Sequence, residues 1–82
     1  MEIKILGKGC PKCKRLEELA REAAGEVGVE ATFTKVKEMN EIMAYGVAIT
    51  PALVIDETLK CSGRIPQKSE IAAWIQEIAV SG

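Results

Sequence analysis

"ITPALVIDETLKCSG", residues 49–63, is the stretch that decides the fold. Thr50-Pro51 opens a short apolar run, Ala52–Ile55, and a second run follows at Leu59–Ser62. A turn at Asp56–Glu57 joins the two, so the segment reads as an antiparallel hairpin. What flanks the hairpin sets the architecture. Downstream, Ile71, Trp74, Ile75 and Ile78 mark one face of a closing helix preceded by Pro66. Gln67 with Glu70 three residues on makes a loose capping box for it.

Upstream, Ile3, Ile5 and Leu6 form a buried strand ended by the Gly7–Gly9 stretch. From Pro11 the period becomes helical. Leu16, Leu19, Ala20, Ala23 and Val27 take one face, Glu17, Glu18, Arg21 and Glu22 the other, and Gly25 and Gly28 are expected to stop the helix. "VEATFTKV" then alternates Val29, Ala31 and Phe33 against Glu30, Thr32 and Thr34, a half-buried strand whose Lys35 and Lys37 suit a sheet edge. "EMNEIMAYG" places Met39, Ile42 and Met43 at helical spacing before Gly46, with the methionines expected as core filler. The order is β-α-β-α-β-β-α over residues 1–82, read as one domain. A first β-α-β unit needs a right-handed crossover and a parallel pair. With the later hairpin, this gives an α/β fold: a four-stranded mixed sheet with helices on both faces.

Composition narrows the function classes. The chain has 82 residues, 48% of them hydrophobic and three aromatic, so its core must be mostly aliphatic. Eleven basic and twelve acidic side chains leave a net charge near −1, which argues against nucleic-acid binding; that needs a clustered basic face. Lys8, Lys12, Lys14 and Arg15 do cluster, but around cysteines. "MEIKIL" has neither the basic nor the apolar region of a signal peptide, and no apolar run spans a bilayer. A cytoplasmic location, with no membrane partner, is the expectation. That compartment does not suit a permanent structural disulfide, and a close cysteine pair there is more often catalytic or metal-binding.

Cys10-Pro11-Lys12-Cys13 is such a pair. Alone, it could clamp a metal, close a redox disulfide, or sit inert in a core. Its place between a first strand and a first helix matters physically. Helix N-terminal N–H groups and the positive dipole end stabilise a thiolate, Lys8 and Lys12 add positive charge, and such surroundings lower a cysteine pKa from about 8.5 to roughly 3.5–7.5. Pro11 suits a first helical position, where its missing N–H costs nothing. The expected division of labour makes Cys10 the exposed nucleophile and Cys13, one turn on, the more buried resolving thiol.

Cys10-Pro11-Lys12-Cys13 after a first strand, Ile49-Thr50-Pro51-Ala52 at the start of the third, and Gly63 before the last helix together resemble the thioredoxin/glutaredoxin superfamily. More narrowly, the chain resembles its small "redox-active disulfide" members, over nearly its whole length. The resemblance implies a thioredoxin-like fold with strand order 2-1-3-4 and thiol–disulfide oxidoreductase activity without a bound cofactor or metal. It also implies a cis bond before Pro51, with Pro51 packed against Cys10 and Cys13 and denying them a metal ion. The backbone of Thr50 would bind an extended substrate segment, as an added strand does. Implied partners are a disulfide-containing protein and an upstream reductase or low-molecular-weight thiol, acting with a monomer. Three departures stand out: Gly9 where thioredoxins carry an aromatic, no acidic residue expected behind Cys13, and Arg64-Ile65-Pro66 in place of the glutaredoxins' glutathione-binding signature.

Two rival classes remain open at this level. A soft-metal (copper or zinc) carrier also holds a Cys-x-x-Cys after its first strand, but with β-α-β-β-α-β order and a methionine where Lys8 stands. A structural zinc site needs four ligands, and the chain has three cysteines and no histidine. An interaction module with incidental cysteines is the other. Cys61 reads as a small buried strand residue, and Tyr45 and Trp74 as packing residues of the core.

Overall fold

The computed structural model describes residues 1–9, 11–47 and 49–81. Its elements are β1 (Glu2–Leu6), α1 (Pro11–Val27), β2 (Thr32–Val36), α2 (Met39–Ala44), β3 (Ala52–Ile55), β4 (Thr58–Ser62) and α3 (Lys68–Ser81). The sheet runs β2-β1-β3-β4, the order that the resemblance implies. β1 pairs parallel with β2, from Glu2 opposite Thr32 to Leu6 opposite Val36, and antiparallel with β3, from Ile3 opposite Ile55 to Leu6 opposite Ala52. A parallel neighbour on one side and an antiparallel neighbour on the other make the sheet mixed.

The pleat sorts side chains to two cores. Ile3, Ile5, Leu53 and Ile55 face α1 and α3, packing with Leu16, Ala20, Ala23, Ile71 and Ile75. Leu6, Val36, Ala52 and Val54 face the other way, onto Ile42 of α2 and Val47. All four residues of β3 are therefore buried, the pattern of a central strand covered on both faces. Trp74 and Cys61 join the first core and Tyr45 borders the second.

Asp56 and Glu57 carry φ of 47° and 67°, so this two-residue connection is a left-handed turn whose twist matches that of the strands it joins. Glutamate is a poor choice for such a φ, and tertiary bonds hold it. Lys4 Nζ donates to Glu57 Oε1 at 2.6 Å and to Tyr45 Oη at 2.6 Å, and Tyr45 Oη donates to Glu57 Oε2 at 3.0 Å. Asp56 Oδ1 accepts the Glu2 N–H at 2.8 Å. On β4 the register slips between Leu53 and Val54, whose partners are Cys61 and Leu59; Lys60 is the bulged residue.

Several expectations need correction. Gly25 does not stop α1. It lies inside the helix, on an exposed face, while Ala23 and Ala24 beside it are buried and carry the turn through. Gly28 alone ends it, with φ 81°, as Gly28 and Val29 N–H groups both return to Ala24 O at 3.0 and 3.1 Å. β2 begins at Thr32 rather than Val29, because its first bond, Thr32 N–H to Met1 O at 2.9 Å, waits for the start of β1. Val29 and Ala31 still pack on the first core. Met39 and Met43 are not core filler: they are 45% and 62% exposed, since a six-residue helix buries only Ile42. Glu70 does cap α3, its Oε2 accepting the Gln67 N–H at 2.8 Å.

Candidate active site at the start of the first helix

Pro11 opens α1 and Cys13 lies in its first turn, which carries no acidic residue. Cys10, expected as the nucleophile, lies outside the described residues. Cys13 is 5% exposed. Its seat is made by Gly7 at the end of β1: a Cβ at position 7 would overlap Cys13 Sγ, and would come within 3.8 Å of Thr50 Cβ. Cys13 and Thr50, far apart in sequence, therefore both lie against Gly7. The Gly7 N–H donates to Val36 O at 2.9 Å, which pins this end of β1 to β2.

The peptide bond between Thr50 and Pro51 is cis, and Pro51 is fully buried. Pro51 O accepts the N–H of Gly63 at 2.9 Å, tying the start of β3 to the end of β4. Ile49, just upstream, is 64% exposed, and a Cβ at Gly63 would press on its Cγ2 at 3.1 Å. Thr50, Pro51, Ile49 and Gly63 thus form one wall beside the first turn of α1.

On the opposite side of Cys13, towards β2, lies a cleft of about 270 Å3. Cys13 and Gly7 line it together with Glu17, and Lys8, Lys14, Lys35 and Lys37 surround it. Glu17 corrects the assignment of its side chain to the solvent face, while no buried acid lies behind Cys13 among the described residues, as expected. The Glu17 side chain is only 15% exposed and sits one helical turn beyond Cys13. Lys35 Nζ at 3.1 Å, and Arg21 at 3.0 Å, hold its carboxyl below the usual carboxylate range; the Lys35 bond is the larger cause. The (i, i+4) spacing from Cys13 was the available signal. Gly7 was missed as well; only its place before a Cys-x-x-Cys helix hinted at a close approach.

Lys8 and Lys12 are exposed beside this helix start, and Lys8 borders the cleft. Cys61 lies in the first core, where burial pushes its thiol pKa up; its environment disfavours the thiolate. Among the described residues, no helix is long and apolar enough to cross a membrane.

A family model described as "Thioredoxin domain" matches residues 1–76. A thioredoxin of Methanothermobacter thermautotrophicus is 46% identical over 71 residues, covering 87% of this chain and 92% of that protein. A thioredoxin of Methanocaldococcus jannaschii is 39% identical over 69 residues, covering 84% of this chain and 79% of the relative.

Proposed function

The chain belongs to the thioredoxin domain family and is a thiol–disulfide oxidoreductase; on that premise, we propose that Cys10 and Cys13 are its exchanging pair, acting on protein disulfides. The Cys10 thiolate attacks one sulfur of the substrate disulfide. A Cys10–substrate bond forms, and the other substrate sulfur leaves as a thiolate that takes up a proton. Cys13 then loses its proton and attacks Cys10 Sγ, closing the Cys10–Cys13 bond and expelling the second substrate thiolate. Two electrons have moved from the protein's dithiol to the substrate, now a dithiol. An upstream reductase or low-molecular-weight thiol returns them.

The observation that carries this reading is the seat of Cys13. A buried cysteine in the first turn of a helix lies against a strand-end glycine and beside the Thr50 that precedes a cis proline. In the first turn, free N–H groups and the dipole favour the thiolate form, with Lys8 and Lys12 adding charge and Pro11 presetting the turn. Thr50 and Pro51 serve the substrate: the Thr50 backbone bonds an extended segment, and the exposed Ile49 offers an apolar contact beside it. One sheet joins all four strands, in keeping with residues 1–82 working as one domain.

Reduction of insulin by the native chain, Cys10→Ser and Cys13→Ser tests the roles. Cys10→Ser is expected to abolish turnover, and Cys13→Ser to accumulate a mixed disulfide through Cys10. If Cys13→Ser traps no such species, the assignment fails.

A further inference from the structure

The charges of the chain are unevenly partnered. Lys4, Arg15, Arg21, Lys35, Arg64 and Lys68 each have a carboxylate within 4.0 Å. Lys8, Lys12, Lys14, Lys37 and Lys60 have none among the described residues. Of these, Lys8, Lys14 and Lys37 all border the cleft beside Cys13. The acid in that cleft, Glu17, is already engaged by Lys35 and Arg21. A chain of net charge −1 thus concentrates a local positive surplus on one small hollow next to a thiol.

We propose that this cleft receives a carboxylate carried beside the disulfide of the protein substrate, so that the preferred partners have Asp or Glu flanking the reacting cysteine. The inference rests on the Cys10–Cys13 exchange reading above. Three arguments support it. The cleft, at about 270 Å3, is close to the lower limit of small-ligand sites, about 300 Å3, and so suits a single side chain rather than a folded segment. Its wall is fixed, because Gly7 is bonded to Val36 and Lys35 to Glu17. Its contents are chemically selective: three cationic groups without a carboxylate partner among the described residues repel a basic flank and attract an acidic one. An acid held there would sit beside Cys13 while the mixed disulfide awaits resolution.

Three peptides test this, each with one internal disulfide and identical except for Glu, Gln or Lys next to the attacked cysteine. The reduced protein's second-order rate with each is measured at low salt and at about 0.5 M salt, where the Debye length falls to about 4 Å. The Glu peptide is expected to react about tenfold faster than the Lys peptide at low salt. That ratio should shrink at high salt, and to about two- or threefold in a Lys14→Gln, Lys37→Gln double variant. Lys60→Gln, on β4, should leave the ratio intact. Equal rates for the three peptides, or a ratio unmoved by the double variant, would overturn the proposal. Failure of all three peptides to form a mixed disulfide even with Cys13→Ser would overturn the Cys10–Cys13 roles, and the inference with them.

Discussion

Replacing Gly7 with alanine tests the seat of Cys13 directly. Gly7 is buried and does not have a positive φ, so alanine's backbone preferences are satisfied there. The added Cβ would approach Cys13 Cβ at 3.5 Å and Thr50 Cβ at 3.8 Å, both ordinary contacts. The overlap is with Cys13 Sγ. That sulfur has few places to go, because Cys13 is only 5% exposed and the side chain is confined to staggered χ1 wells. Overpacking of this kind costs about 1–3 kcal/mol. Against it stands about 0.4–1 kcal/mol from the less flexible unfolded chain. The net loss is then about 0–2.6 kcal/mol, or up to roughly 21 °C in Tm for a domain of this size. Urea unfolding under reducing conditions measures it, in the native chain and in Cys13→Ala. Without the sulfur, Gly7→Ala should become neutral or stabilising by up to about 1 kcal/mol, a coupling of about 1–3 kcal/mol between the two sites. An equal cost in both backgrounds would refute the reasoning.

The two glycines near the end of α1 should respond with opposite signs. Gly25→Ala, at a helical position with open space around it, is expected to stabilise by about 0.5–1 kcal/mol. Gly28→Ala, forced to φ 81°, should destabilise by about 1–2 kcal/mol; urea midpoints with the same sign would contradict the assigned end of α1. Glu17 gives a pH prediction. Lys35 and Arg21 hold its folded pKa below the unfolded value, so its contribution is present above about pH 4.3 and is lost as pH falls through the folded pKa. Stability should therefore fall less between pH 7 and pH 3 in Glu17→Gln than in the native chain, and an equal fall would count against the buried-edge ion pairs.

Much of the fold is legible because its signals are local. The Ala52–Ile55 run, the Asp56–Glu57 turn and the Ile71–Ile78 stripe are patterns of neighbours at period 2 or 3.6, and each matches an observed element. Patterns fail where one residue's fate depends on a distant partner. Val29 alternates like a strand, yet β2 cannot begin until Met1 supplies an acceptor. Gly25 looks like a stop, yet α1 continues because its next-door alanines are packed. Met39 and Met43 look like core, yet α2 is too short to bury more than Ile42.

By itself, then, the sequence determined the order of elements, the hairpin, the closing helix and the strand–loop–helix setting of Cys10-Pro11-Lys12-Cys13, all matters of local periodicity and of glycine and proline punctuation. Only the tertiary structure decided that Cys13 and Thr50 both crowd the Cβ position of Gly7. It alone brought Glu17, Lys35 and Lys37 around a cleft beside Cys13. The parallel register of β1 and β2 does this, placing Leu6 beside Val36 and so setting the start of α1 against the end of β2. No pattern within either segment encodes that meeting.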